Sequence, residues 1–195
     1  MISAQMNRSL LSVISLNFSC NKSFRGVEEY LDLNNYLTKI VDTIHSLSKK
    51  VEKEHNILGI GIGAPNASSK KGTIENAANL PWKGSVPFVE RLRKKIDIPI
   101  RIMNDASAAA LGEMFFGNAK GMTNFVVITL GTGLGSGIVV NGQLVEGFDG
   151  FAGELGHFGL TFDDGRLTGL GVNGGLEAYV SATGLKRSIM FMLSK

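Results

Sequence analysis

Four glycines alternate with other residues from Gly131 to Gly137, and the runs on both sides have the composition of β-strands. These runs are FVVITL (Phe125–Leu130) and GIVV (Gly137–Val140), so we predict two strands joined by the glycine segment. A dinucleotide-binding fingerprint requires a helix after its glycines and a P-loop requires Gly-Lys-Ser/Thr, so both sites are excluded. Two interpretations stay open. The segment is either a connection whose backbone N–H groups and Thr132 hydroxyl bind a phosphate, or a tight turn that needs positive φ.

Glycine is concentrated in the second half of the chain, where 18 of the 25 glycines lie between Gly117 and Gly184. Asn141-Gly142 is a strong signal for a type I′ turn, which would continue the two strands into an antiparallel meander. A glycine-dense loop over 147–175 and a final helix that begins near Leu176 complete this predicted half.

The first half alternates helical and strand patterns. Apolar residues recur at three- and four-residue steps over Val27–Val51, which predicts an amphipathic helix. A strand at 57–63, a polar loop, a helix at 88–96, a strand at 98–103 and a helix at 106–116 are predicted to follow. This order is typical of a sheet covered by helices, and we predict two domains, 1–118 and 119–195.

Composition excludes several classes of protein. The 44% hydrophobic content is too high for a disordered chain, and no apolar run reaches the roughly 18 residues of a membrane span. A disulfide framework is impossible because Cys20 is the only cysteine. The net charge of +3 is spread along the chain and indicates no nucleic-acid groove. Polar residues interrupt the apolar stretch of the first twenty residues, so we interpret them as strand and not signal peptide, and expect a cytoplasmic protein.

Asn104-Asp105 lies between a predicted strand and a predicted helix, which is where α/β proteins usually bind ligands. An aspartate there can take a proton from a substrate hydroxyl, and a neighbouring asparagine can orient that hydroxyl. Capping of the helix is the alternative interpretation of Asp105, and it is the more common role of an aspartate at such a position.

Other polar residues are candidates of the same kind. Glu154 and His157 lie three residues apart in the glycine-rich loop, and Glu177 opens the last helix. Each alone is also typical of a surface or capping residue. A sugar contact by Asn79 and Trp82 is open, beside the alternative of a loop with a buried indole.

Six motifs in this order resemble the ROK family of sugar kinases and repressors, and most of all its glucokinase branch. They are Gly61–Pro65, Asn79–Trp82, Asn104–Ala110, Gly131–Gly137, Gly150–His157 and Gly175–Tyr179. The resemblance extends from about Val27 to Leu185. It implies an α/β chain with the actin-like ATPase (ribonuclease-H-like) two-domain fold, and ATP-dependent phosphorylation of the 6-hydroxyl of a hexose.

The resemblance also implies a role for each candidate residue. Asp105 would be the general base, and Gly131, Thr132 and Gly133 would meet the phosphates of Mg-ATP. The residues that would hold the sugar are Gly63, Ala64, Asn79, Asn104, Glu154, His157 and Glu177. These residue types agree with phosphoryl transfer, which chiefly needs positioning of the reactants, neutralisation of the phosphate charge and a correctly oriented general base.

The partners implied by the resemblance are small molecules and a second copy of the chain. Glucose is the expected hexose, with ATP and Mg²⁺ as cofactors, and a homodimer is the usual assembly of the family. No nucleic-acid or membrane partner is expected.

The chain departs from the family pattern at three places. The N-terminal Asp-x-Gly-Gly-Thr hairpin of the family, which contacts phosphate and metal, has no counterpart before Val27. The three cysteines of its zinc segment correspond to Thr168, Leu170 and Gly175, so a structural zinc is not expected. Full-length members continue for roughly a hundred residues beyond the position of Lys195. We therefore expect a chain truncated at both ends, and a non-catalytic sugar-binding remnant or sensor stays open as the alternative to an active kinase.

Overall fold

The structure is a computed structural model that describes residues 2–6, 11–14, 32–51, 53, 57–77, 80–161, 165–169 and 171–194. Contacts divide the chain into two compact units, Met1–Asp105 and Ala106–Lys195. The predicted boundary between residues 118 and 119 lies beyond the far end of the helix that begins at Asp105. The division into two domains at residues 118 and 119 therefore stays a prediction.

The strands within the described residues are β1 (Ile2–Met6), β2 (Leu11–Ile14), β3 (Ile57–Ala64), β4 (Ala67–Ser68), β5 (Thr73–Glu75), β6 (Ser85–Val86), β7 (Ile100–Asn104), β8 (Phe125–Leu130), β9 (Leu134–Val140) and β10 (Gln143–Leu144). The α-helices there are α1 (Leu33–Val51), α2 (Phe88–Arg93), α3 (Asp105–Phe116), α4 (Glu177–Val180) and α5 (Ala182–Leu193).

The main sheet of the first unit has the strand order β2-β1-β3-β7. Strand β1 is antiparallel to both of its neighbours, whereas β3 and β7 are parallel, with Ala64 opposite Asn104. Because parallel strands end at the same edge of a sheet, the residues that follow β3 and β7 share that edge. The predicted strands at 57–63 and 98–103 are confirmed within one or two residues at each end.

Helix α1 covers the sheet with one apolar face, as its periodicity predicts. Its residues Leu37, Ile40 and Ile44 are buried in one cluster with isoleucines of β3 and β7. The helix begins after Asp32, whose carboxylate accepts the Asn34 N–H at 3.0 Å. The earlier predicted start, over 27–31, lies outside the described residues.

The predicted polar loop after β3 is wrong in part, because it contains the small antiparallel sheet β4-β5-β6. Ala67 pairs with Ile74, and Ile74 pairs with Val86, and all three side chains are buried. Strands of two or three residues are too short for alternation of polar and apolar residues to identify them.

The second unit has the strand order β10-β9-β8, and all pairs are antiparallel. Asn141 and Gly142 join β9 to β10 with φ values of 52° and 72°, as a type I′ turn requires. The predicted meander and its turn are therefore confirmed.

Strand β9 begins at Leu134, three residues before the predicted start at Gly137. Gly135 and Gly137 lie inside the strand because helix α3 packs closely against it. A Cβ at Gly135 would lie 2.8 Å from the Cβ of Ala106, and one at Gly137 would lie 2.5 Å from the Cβ of Ala110. These two glycines therefore serve helix–sheet packing, and the β8–β9 connection is only Gly131–Gly133.

The predicted final helix is two helices, α4 and α5, because the chain is extended at Ser181 (φ −70°, ψ 167°). The buried Ser181 hydroxyl accepts the N–H of Gly184 at 3.1 Å and so caps α5. Among the helices of the described residues, none combines the length and apolar character that a membrane span requires.

We expect Gly137→Ala to destabilise the chain by about 1–3 kcal/mol, since the new methyl group overpacks the contact with α3. Gly112→Ala on the same helix is the matched control, because nothing lies within 4 Å of its Cβ position. It should leave stability unchanged or raise it by up to about 1 kcal/mol. Urea unfolding of both variants measures this, and equal stabilities would contradict the close contact between α3 and β9.

Candidate functional site

Four predicted site residues lie together at the carboxyl edge of β3 and β7. Gly63 is opposite Met103, and Ala64 is opposite Asn104 in the parallel register. Asp105 follows directly as the first residue of α3 and is exposed, whereas Asn104 is half-buried. An exposed carboxylate beside a carboxamide at such an edge has the chemistry to accept a proton from a bound hydroxyl.

Asn79 and Trp82 are other candidates for a sugar contact, and the structure describes only the second of them. Asn79 lies outside the described residues. The Trp82 indole is buried in the core of the first unit, with its ring centroid 5.0 Å from that of Tyr36 and 6.4 Å from that of Phe88. The interpretation of Trp82 as a buried indole is therefore confirmed.

The β8–β9 connection has φ values outside the left-handed region at both Gly131 and Gly133. The interpretation as a turn that needs positive φ is therefore wrong. The Gly131 N–H donates to the carbonyl of Gly133 at 3.0 Å, whereas the N–H groups of Thr132 and Gly133 donate to no described residue. Two neighbouring N–H groups in a glycine-rich connection are a suitable arrangement for an anion.

Glu154 directly precedes a single 3₁₀ turn, Leu155–His157, and His157 is the last residue of that turn. The Nε2 atom of His157 lies 3.8 Å from Oε2 of Glu154, and both side chains are partly exposed. The Nδ1 atom of His157 is buried and has no hydrogen-bond partner among the described residues. The turn packs against the start of β9, since a Cβ at Gly156 would lie 2.7 Å from the carbonyl oxygen of Leu134.

The Glu177 carboxylate contacts two backbone segments. Its Oε2 accepts the N–H of Leu134 at 3.0 Å, and its Oε1 accepts the N–H of Gly169 at 3.3 Å. Each carboxylate oxygen can accept a further hydrogen bond, so the expected contact with a sugar hydroxyl stays a prediction.

The loop 165–175 does not have the side chains of a zinc site. The buried Thr168 hydroxyl accepts the Val172 N–H at 3.0 Å, and the Thr168 methyl group lies 2.6 Å from where a Cβ of Gly175 would be. That methyl group therefore fills the space of a side chain at position 175. Leu170 lies outside the described residues. Within the described residues, no group of three or more His, Cys, Asp or Glu side chains could hold a metal. Zinc does not fit these residues, which lack the thiolates it prefers.

Arg166 holds the same loop and was missed by the sequence analysis. Its guanidinium donates to Ser188 at 2.7 Å and lies 5.1 Å from the ring centroid of Tyr179. The Tyr179 hydroxyl is bonded to the hydroxyl of Thr161 and accepts the Arg166 N–H, and these bonds hold the pKa of Tyr179 below its usual value. No local pattern signals such pairs, because the partners are 13 or more residues apart.

The sequence profile of the ROK family matches residues 28–192. The chain belongs to the ROK family. It is 40% identical to a glucokinase of Halalkalibacterium halodurans over 152 residues, which are 77% of this chain and 46% of that protein. It is 34% identical to a xylose repressor of Caldicellulosiruptor bescii, in an alignment that covers 98% of this chain and 51% of the repressor. The chain thus spans about half the length of the curated relatives it matches.

A solved structure with a similar fold is the ROK glucokinase from Streptomyces griseus in complex with glucose and AMPPNP. Its TM-score is 0.64 at 36% identity, over 77% of this chain and 48% of the glucokinase. The ROK hexokinase from Thermus thermophilus gives a TM-score of 0.68 at 29% identity, over 81% and 53% of the two chains. The predicted fold class is confirmed: the chain is α/β, and these two structural neighbours are sugar kinases with the actin-like ATPase fold.

We expect Thr168→Val to destabilise the chain by about 0.5–1.5 kcal/mol, because a partly buried hydrogen bond from the Val172 N–H is lost without a change in side-chain shape. Thr43→Val is the matched control, since the Thr43 hydroxyl donates to the exposed Lys39 carbonyl of its own helix, and its effect should be within about 0.5 kcal/mol. Thermal unfolding compares the two. Equal losses would mean that the Thr168 hydroxyl does not hold the loop.

Removal of divalent metals tests the expectation that the loop 165–175 binds no structural zinc. A structural zinc contributes roughly 10–16 kcal/mol in small zinc domains, so its loss would lower the unfolding temperature strongly. We expect EDTA to leave the unfolding temperature of this chain unchanged, and the purified protein to contain no stoichiometric zinc. A lower unfolding temperature in EDTA would show that other ligands replace the missing cysteines.

Proposed function

We propose that this chain carries the chemistry of a ROK hexose kinase, which phosphorylates the 6-hydroxyl of glucose or a close relative with ATP. The observation that carries the proposal is the position of Asp105. This exposed carboxylate follows β7 directly, at the edge where Ala64 and Asn104 are paired. The glucokinase relatives support the reaction class, and the S. griseus enzyme was crystallised with glucose and an ATP analogue. A cytoplasmic location and a homodimer belong to the same proposal.

The proposed step is an in-line transfer. Asp105 accepts the proton of the sugar hydroxyl as its oxygen attacks the γ-phosphorus of ATP, and ADP leaves with the electrons of the broken P–O bond. Asn104 and the backbone at Gly63 and Ala64 orient the hydroxyl, because these residues lie together at one edge of the parallel strands. Glu154, His157, Glu177 and Asn79 complete the proposed set of sugar contacts.

The proposed phosphate contacts lie in the β8–β9 connection. The N–H groups of Thr132 and Gly133 donate to no described residue and would donate to phosphate oxygens of ATP. Mg²⁺ bound with the nucleotide would neutralise part of the phosphate charge, and such ions are held mainly by substrate phosphates, waters and one or two carboxylates.

A sugar-responsive protein without catalytic activity is the second candidate. The specific observation in its favour is the xylose repressor, whose similarity extends over nearly the whole chain. In that case the residues at the sheet edge would bind the sugar but transfer no phosphoryl group. Turnover and not sugar binding therefore separates the two candidates.

We expect Asp105→Asn to lower kcat for glucose-dependent ADP release by about 10²–10⁴, because general-base catalysis acts on the transition state. The Kd for glucose should change by less than about tenfold, since the isosteric amide keeps the ground-state contacts. Asp97→Asn is the matched control, as Asp97 is exposed and precedes the opposite end of β7.

Three results would contradict this assignment. If Asp105→Asn turns over at the wild-type rate, Asp105 is not the general base. If Asp105→Asn no longer binds glucose, Asp105 is a binding residue. Glucose binding by the wild-type chain without any ADP release would favour the sugar-responsive protein.

A further inference from the structure

The Glu177 carboxylate connects segments that are far apart in sequence. Leu134 is 43 residues before Glu177, and Gly169 is eight residues before it. One carboxylate thus accepts an N–H from the start of β9 with one oxygen and an N–H from the loop 165–175 with the other. Hydrogen bonds to an ionised acceptor are about twice as strong as neutral ones, so this bridge restrains both segments.

Gly133 makes this bridge sterically feasible. A Cβ at position 133 would lie 2.4 Å from Oε2 and 3.2 Å from Cδ of Glu177. The φ of Gly133 is not positive, so the backbone conformation does not require glycine. The glycine at 133 is explained by the carboxylate that occupies the space of its side chain.

The carbonyl groups of the same connection are also bonded. The Gly131 carbonyl accepts the Ala182 N–H at 2.9 Å, and the Thr132 carbonyl accepts the Thr183 hydroxyl at 3.1 Å. The start of α5 thus fixes two carbonyls, and Glu177 fixes the N–H of Leu134, the first residue of β9. Between these fixed groups, the N–H groups of Thr132 and Gly133 donate to no described residue.

We propose that Glu177 is a positioning residue, which holds the β8–β9 connection so that the N–H groups of Thr132 and Gly133 are preorganised for a nucleotide phosphate. The functional half of this inference rests on the proposed kinase function. Preorganisation raises affinity because the donors lose little freedom on binding. This role is additional to the sugar contact expected of Glu177.

The sign of the effect on nucleotide affinity separates positioning from simple electrostatics. A carboxylate near a phosphate repels it, so a purely electrostatic role predicts tighter nucleotide binding when Glu177 is neutralised. Positioning predicts weaker binding, and it predicts this in the absence of sugar. A role restricted to sugar contact predicts no change in that measurement.

The test compares Glu177→Gln with the wild-type chain by amide hydrogen exchange and by the affinity for AMPPNP measured without sugar. We expect exchange at Leu134 and Gly169 to accelerate about ten- to hundredfold, as for the loss of a charge-assisted bond. The Kd for AMPPNP should rise about five- to fiftyfold by the same reasoning. Glu177→Asp keeps the charge but is one methylene shorter, so it should behave like Glu177→Gln, and it also provides a second variant if the first is poorly folded.

Glu113→Gln is the matched control. Glu113 also accepts a backbone N–H through its carboxylate, that of Asn118 at 2.8 Å, near the end of α3. This variant should accelerate exchange at Asn118 and leave the AMPPNP affinity unchanged.

Unchanged exchange at Leu134 and Gly169 in both Glu177 variants would overturn the bridge. Faster exchange with unchanged or tighter AMPPNP binding would overturn the positioning role. If Glu177→Asp binds AMPPNP with wild-type affinity, the charge at position 177 matters and the length of the side chain does not. This result would also overturn the positioning role. Failure of the wild-type chain to bind AMPPNP would refute the proposed function and with it the functional half of the inference, and the exchange data would still decide whether the bridge exists.

Discussion

The close approach of helix α3 to strand β9 is the contact on which the second unit depends. Gly135 and Gly137 have no Cβ, so the helix lies against the strand at a distance that Ala106 and Ala110 define. Strand β9 is the central strand of its sheet, and its first residue, Leu134, contacts both the 3₁₀ turn and Glu177. Since close-packed interiors transmit displacement, a shift of β9 would move every candidate group that is placed against it.

Hydrogen bonds to backbone groups hold the loops of this unit. Glu177, Thr168 and Ser181 each accept backbone N–H groups, and Arg166 is fixed between Ser188 and the ring of Tyr179. A metal site would concentrate the stability of such a loop in one ion, whose removal unfolds it. In this chain the stabilisation is divided among bonds of about 0.5–3 kcal/mol each, so the loss of one weakens the loop without releasing it.

The catalytic half of the proposal and its positioning half have different kinds of support. Asp105 is identified by its place at the edge of two parallel strands, which is a property of the topology. The role of Glu177 follows from the occupancy of its two oxygens and the missing side chain at Gly133. Sequence reasoning identified both residues, but it described Glu177 only as a sugar contact or a cap because its partners are remote in sequence.

The sequence by itself determined the long elements and the turns with special backbone geometry. The amphipathic period placed α1, the apolar runs placed β3, β7 and β8, and Asn141-Gly142 placed the β9–β10 turn, because each of these signals is local. Only the tertiary structure decided why the alternate glycines are there. Gly135 and Gly137 accommodate a helix and Gly133 accommodates a carboxylate, and these neighbours come from sites 27 or more residues away in the chain. The sequence alone does not show whether a glycine permits a turn, binds an anion or allows a close contact. The packing partner in the tertiary structure distinguishes these roles.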